Sequence, residues 1–120
     1  MTTTPVTPTI DGLRTAIEAR DADGVLAWYD EDATLTMLDR DHPPSSPAVY
    51  RGLQAIGAYY EDICGRNIDH KVRDAVATED GLAFTQHCRY PDGTAVLCAT
   101  VARTRQGKIH SQTAVQVWDG

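Results

Sequence analysis

Three tripeptides ending in glycine, Glu79-Asp80-Gly81, Pro91-Asp92-Gly93 and Arg105-Gln106-Gly107, separate β-rich runs in the second half of the chain. Each fits the three-residue hairpin loop whose last residue is left-handed and forms a bulge, a position where glycine carries no Cβ penalty. Loops of this kind predict an antiparallel meander over residues 67–118 and fix its register. Thr78 should face Leu82, Tyr90 should face Thr94, and Thr104 should face Lys108.

Stepping outward from these pairs sorts the side chains into two faces. One gathers His70, Val72, Asp74 and Val76, then Phe84, Gln86, Cys88 and Tyr90, then Val96, Cys98, Thr100 and Ala102, then His110, Gln112, Ala114 and Gln116. This mixture of apolar residues with a few polar ones suits the wall of a small-molecule cavity. In the register, Asp74 faces Gln86 and His110 faces Ala102. The other face gathers Ala75, Ala77, Ala83, Thr85, Leu97, Ala99, Val101, Ile109, Thr113, Val115 and Val117. It is small and apolar, which predicts a homodimer joined through the outer side of the sheet.

The first half reads as helix, helix, strand, helix. Ile10, Leu13, Ala16 and Ile17 recur at helical spacing behind Thr9 or Asp11 as a cap, and the helix should end near Arg20. Asp23 is the expected cap of a short second helix carrying Val25, Leu26, Trp28 and Tyr29. A strand follows over Ala33 to Leu38, and then a loop from Asp39 to Arg51 with its three prolines. Gly52 to Cys64 forms the third helix, with Gly65 placed to stop it. Together these elements predict an α+β fold, a curved antiparallel sheet wrapped around N-terminal helices to enclose a conical cavity.

With 120 residues, the chain is expected to form a single domain over residues 9–120 behind a disordered Thr/Pro-rich leader, residues 1–8. The net charge of −6 and the absence of basic clusters exclude nucleic acid and membrane surfaces as expected partners. No apolar run approaches a membrane span and no signal peptide is visible, so a cytoplasmic location is expected. Cys64, Cys88 and Cys98 lack metal or redox spacing and read as reduced thiols. Asp39, Asp41 and His42 match no metal loop, and no phosphate-binding glycine loop or cofactor fingerprint is present. A site without metal or cofactor is expected.

The segment Ala22-Asp23-Gly24-Val25-Leu26-Ala27-Trp28-Tyr29-Asp30-Glu31-Asp32-Ala33-Thr34, with Tyr50-Arg51-Gly52 and Gly107-Lys108-Ile109, resembles the nuclear transport factor 2-like superfamily in its SnoaL-like polyketide cyclase and ketosteroid isomerase branch. The resemblance covers about residues 9–118 and implies a cystatin-like α+β barrel. It also implies three catalytic positions of the isomerases, which here carry Met37, Leu13 and Ala102. All three are apolar, which argues against steroid isomerisation by that route.

The candidate catalytic residues are therefore sought elsewhere. His110 can accept and return a proton near neutral pH. Asp39 and Asp74 are alternative bases or orienting groups, and Tyr60 can donate to a carbonyl or enolate oxygen. Tyr29, Met37, Phe84, Gln86, Cys98, Thr100, Gln112 and Ala114 are expected to line the substrate site. These residues point to a cofactor-independent isomerase or polyketide-type cyclase acting on a small, mostly apolar carbonyl compound. A non-catalytic ligand-binding or interaction domain is the alternative, followed by an epoxide hydrolase using Asp39 and Asp74.

Overall fold

The computed structural model describes residues 10–119, so the leader expected over residues 1–8 lies outside the described part. Helices α1 (Asp11–Glu18) and α2 (Ala22–Leu26) are followed by β1 (Tyr29–Leu38), β2 (Ala48–Arg51) and helix α3 (Gly52–Gly65). Strands β3 (Asp69–Ala77), β4 (Gly81–Arg89), β5 (Ala95–Arg105) and β6 (Lys108–Trp118) complete the chain. The order along the single open sheet is β2-β1-β6-β5-β4-β3. All neighbours run antiparallel except β1 and β6, which are parallel.

Strand β2 emerges from the segment expected to be a loop. It begins directly after Pro47 and pairs only with β1, the edge position that tolerates a proline-flanked strand. Gly52 then turns the chain from β2 into α3 at φ +82, a value that favours glycine.

The helices cover one face of the sheet. α1 buries Leu13, Ala16 and Ile17, and α3 buries Ile56 completely. With Leu35, Phe84, Leu82 and Ile109 they form the main core. Asp21, rather than Asp23, caps α2 by accepting from the Gly24 N–H at 3.0 Å. α1 starts at Ile10 with no side-chain cap; Asp11 lies in its first turn, where a carboxylate suits the helix dipole. At the far end of α1 the Glu18 carboxylate accepts from the Val72 N–H at 2.9 Å, fastening the helix to β3.

The glycine loops divide into one that matches the count and two that do not. Pro91-Asp92-Gly93 is the expected three-residue loop, with Gly93 at φ +92 and Tyr90 N–H donating to Thr94 O at 2.9 Å. The β4–β5 register is accordingly as counted, with Phe84 opposite Thr100 and Gln86 opposite Cys98. In the third loop only Gln106 and Gly107 turn, both at positive φ, and Arg105 pairs with Lys108. Two left-handed residues in succession are the signature of the two-residue hairpin turn that matches strand twist. In the first loop Ala77 pairs with Leu82, and Gly81 lies inside β4 opposite Arg103. Glycine is needed there because a Cβ would stand 2.8 Å from the Ala102 carbonyl oxygen.

Each shortened loop shifts the register by one residue, and a bulge in the adjacent strand shifts it by one more. On β6 the pairs jump from Thr104–Ile109 to Arg103–Ser111, leaving His110 as the extra residue. On β3 they jump from Val76–Ala83 to Arg73–Thr85, with Asp74 at φ +54. Beyond the bulges the faces are restored, so Gln112, Ala114, His70 and Val72 still point inward and are buried. Between bulge and turn they are exchanged. Ile109 enters the core and Ala75 and Ala77 pack against it, whereas Val76 is 63% exposed. Val101, Val115 and Val117 lie exposed on the outer face, with Leu97 beside them.

Candidate functional site

Between α3 and the inner face of β3–β6 lies a cavity of about 60 Å³. β1 contributes Met37, α3 contributes Tyr59 and Tyr60, and β5 and β6 contribute Cys98, Thr100, Gln112 and Ala114. Gln86, Cys88 and His70 form the wall on the β3–β4 side. At the mouth, Tyr90 stacks on Trp118 at 5.3 Å between centroids, and Gln116 accepts from the Trp118 indole at 3.0 Å.

The floor is a chain of hydrogen bonds. Tyr29 OH donates to Gln112 Oε1, and Tyr29 and Tyr60 hydroxyls lie 2.6 Å apart. With Tyr29 spending its only proton on Gln112, Tyr60 must donate to Tyr29, and the Gln112 amide N–H₂ is left to donate elsewhere. Turning the Gln112 amide over reverses the chain and frees the Tyr60 O–H instead. In either direction at least one donor, of the Gln112 N–H₂ or the Tyr60 O–H, remains for an oxygen brought into the cavity. Tyr59 packs edge-on against Tyr60 at 5.1 Å and against Tyr50 at 4.9 Å, which holds the row of phenols in place.

Among the described residues no Asp or Glu lines this cavity, although the chain as a whole carries −6. Burial drives its titratable groups toward their neutral forms. It raises the phenols of Tyr59 and Tyr60 well above the ordinary tyrosine value, pushes the Cys88 thiol up to about 12, and holds the His70 imidazole below its ordinary value. The lining is therefore uncharged at neutral pH. An ionic ligand would enter with its desolvation uncompensated, so the site suits a neutral one.

Six of the expected lining residues, Met37, Gln86, Cys98, Thr100, Gln112 and Ala114, meet at this cavity, and Tyr60 with them. Tyr29 joins through its hydroxyl. Phe84 lies in the main core and not along the cavity wall. The three other proposed catalytic groups lie elsewhere, each for a local reason. His110 sits on the β6 bulge, where Arg105 donates to its Nε2 at 3.0 Å; Gln112 takes the place opposite Ala102. Asp74, on the β3 bulge, is exposed and accepts from Thr85 Oγ1 at 2.9 Å, and Val72 takes its place opposite Gln86.

Asp39 closes a turn beyond β1, accepting from His42 Nδ1 and from the Asp41 N–H, both at 2.9 Å. Desolvation raises its value, but the bonds from His42 and the Asp41 N–H together outweigh it, so the carboxyl is held below the ordinary value. With both carboxylates outside, the acid pair required for epoxide hydrolysis is not assembled in the cavity. Among the described residues no three His, Cys, Asp or Glu side chains converge to hold a metal ion.

Tyr59, His70 and Cys88 are among the lining residues to which the sequence assigned no site role, with Ile63, Ile68, Tyr90, Val96 and Gln116. His70 and Cys88 stand on the counted inner face, opposite each other. Tyr59 was legible as the residue three after Ile56 and four before Ile63 on the helical stripe.

A wider groove of about 400 Å³ lies on the outer face among Lys71, Arg73, His87, Arg89 and Val117. It is open and shallow, with no enclosed donor chain of the kind found inside. No described helix is long and apolar enough to cross a membrane.

The family model of the SnoaL-like domain matches residues 10–112, and the chain belongs to that family. The architecture is that of the nuclear transport factor 2-like fold. A protein of this fold of unknown function from Mesorhizobium loti superposes with a TM-score of 0.74 at 16% identity, over 90% of this chain and 85% of that one. A candidate ketosteroid isomerase from Kribbella flavida gives 0.71 at 13% identity, over 91% and 73%. A loop-truncation variant of IdmH gives 0.66 at 19% identity, over 89% and 88%. No curated protein sequence matches the chain.

Proposed function

We propose that this protein is a cofactor-independent isomerase that moves a proton within a small, neutral, mostly apolar carbonyl compound held in the inner cavity. The observation carrying this reading is the Tyr60–Tyr29–Gln112 chain, whose two bonds leave at least one of its donor hydrogens for a ligand at the bottom of an uncharged hollow. A donor so placed stabilises the negative charge that grows on a carbonyl oxygen as a neighbouring C–H is broken, and low polarity around it strengthens the effect. Removing one such donor costs roughly 10²–10³ in rate. A cavity of about 60 Å³ accommodates a compact substrate, which favours isomerisation over the cyclisation of a long polyketide chain. The likeness to a candidate ketosteroid isomerase and to IdmH is one of fold and leaves the substrate to be found.

Screening small ketones and enones for rearranged product by mass spectrometry tests the reading. Product formation that falls about 100-fold in Tyr60→Phe supports it. Binding without conversion by the wild type would favour the second reading, a non-catalytic ligand-binding domain, for which the buried apolar residues Leu13, Met37 and Ala102 at the isomerase catalytic positions speak.

The same proposal extends to a homodimer through the outer face, supported by the exposure of Val101 and Val117 at 61% and 64%. Light scattering should give twice the chain mass, reduced to one chain mass in Val101→Glu; a monomeric wild type at high concentration would remove this part.

A further inference from the structure

Proton transfer at carbon needs an acceptor, and none of Asp39, Asp74 and His110 reaches the cavity. His70 does. It is 6% exposed, it lines the cavity, and it pairs across the ladder with Cys88. Its Nδ1 lies 3.1 Å from Cys88 Sγ, while Nε2 is enclosed and has no partner among the described residues. A buried polar atom left in this state costs on the order of 1–3 kcal/mol, a cost that a bound molecule removes once a shift of the lining opens Nε2 to the cavity.

The neighbouring thiol decides which nitrogen carries the ring proton. Cys88 Sγ also stands 3.9 Å from Gln86 Oε1, to which it donates. A thiol has one hydrogen. With that hydrogen directed at Gln86, the contact to Nδ1 is an N–H donating to sulfur, so Nε2 keeps its lone pair. The Nδ1 hydrogen and the thiol hydrogen are then each used once.

We propose that His70 Nε2 is the proton acceptor of this cavity, with Cys88 and Gln86 as positioning residues that fix its tautomer. This rests on reading the cavity as a site of carbonyl proton transfer. Nε2 takes the proton from a carbon next to the carbonyl, and the C–H electron pair becomes a carbon–carbon double bond. The carbonyl π pair moves onto oxygen, where the Tyr60–Tyr29–Gln112 chain receives the charge. The imidazolium then returns its proton to the same or a conjugated carbon, and the electrons flow back. No oxidant, reductant or second substrate enters the balance.

Burial favours the neutral, accepting imidazole at pH 7. The ionisable groups that share the cavity with the ring are Cys88 on β4, Tyr90 just after it, Cys98 on β5, and Tyr59 and Tyr60 on α3; Asp69 on its own strand and Arg20 after α1 act on it as charges. Of the charged ones, Asp69 raises the His70 value and Arg20 lowers it, both less strongly than burial does.

Exchange of the α-protons of acetone and cyclopentanone in D₂O, followed by proton NMR, tests the assignment. The wild type should accelerate exchange over buffer. His70→Gln should lose about 100-fold of that acceleration, within the range expected for a general base. Cys88→Ala should keep the fold, lose about tenfold, and move the acid-side midpoint of the pH profile up toward 6.5 as water replaces the thiol. Exchange retained in His70→Gln but lost in Tyr60→Phe would overturn the role of His70 and leave the oxygen site standing. No acceleration of either ketone by the wild type would overturn both.

Nitrogen-15 NMR of the wild-type imidazole gives a reading that requires no variant. Protonated Nδ1 with bare Nε2 supports the assignment, and the reverse tautomer overturns it.

Discussion

His70 and His110 stand near the starts of β3 and β6 with the same parity, yet one enters the cavity and the other does not. His70 belongs to a regular stretch of ladder and is fixed against Cys88. His110 is the extra residue of a bulge and turns toward Arg105. A bulge turns one residue off the inner face locally and spares the sheet the exposure of every apolar neighbour that a full register slip would bring, although His110 stays half-buried with its Nδ1 unpartnered among the described residues. Asp74 repeats the pattern on β3. Counting alone does not separate these two from His70, Gln86 and Gln112, polar residues that stay on the inner face and line the cavity.

The sharpest way to break this comparison is to cut Ile109 and His110 separately. Ile109 is 1% exposed in the main core, so Ile109→Ala should cost about 2–5 kcal/mol in urea unfolding. His110→Ala, which removes a half-buried ring held by the Arg105 contact, should cost about 1 kcal/mol or less. Reversed magnitudes would restore the regular register and refute the bulge.

Tyr29→Phe comes next. It leaves Gln112 Oε1 without its donor in the cavity floor, at about 1–3 kcal/mol. An unchanged unfolding midpoint would mean that the Tyr29–Gln112 bond adds no stability. Gly107→Ala should cost about 1 kcal/mol because the turn holds this residue at φ +79. A neutral or stabilising result would contradict the two-residue turn.

The smallest effects concern pH, and they separate His70 from Asp39. Burial lowers the His70 value in the fold, so the unfolded chain binds the extra proton first. The stability this imposes is complete above about 6.5 and is lost as pH falls from there through the lower folded value. His70→Gln should flatten that segment of the stability curve. Asp39 also titrates low in the fold, through His42 and the Asp41 N–H. Its contribution is present above the ordinary carboxylate range, near 3.8, and is lost as pH falls below it. Asp39→Asn should alter the curve only there. A change near pH 6 in Asp39→Asn, or none in His70→Gln, would sink the distinction.

Much of the architecture was legible because helical stripes and strand alternation report burial directly. The stripe Leu13, Ala16, Ile17 and the β4–β5 pairing through Pro91-Asp92-Gly93 needed only periodicity and one turn rule. The glycines of the other two loops misled because glycine serves two physical purposes. Gly107 supplies a left-handed turn residue, whereas Gly81 makes room for the Ala102 carbonyl, and sequence does not distinguish the two. β2 was hidden by Pro43, Pro44 and Pro47, since an edge strand of four residues carries too little pattern to outweigh three prolines. Met37 followed from the family resemblance, and five lining residues, Gln86, Cys98, Thr100, Gln112 and Ala114, followed from parity, which the unshifted β4–β5 register and the compensating shifts on β6 preserved. The catalytic candidates did not, since His110 and Asp74 sit where β6 and β3 shift.

The clasp between Glu18 and the Val72 N–H reaches beyond the fastening of α1. β3 is an outer strand of an open sheet, and outer strands can template addition of further chains into fibrils. With a carboxylate already spent on one of its amide groups, an incoming strand would have to displace a charged acceptor before it could zip along this border. Glu18→Ala is therefore a change whose harm would surface less in the folded monomer than in its tendency to aggregate during prolonged storage.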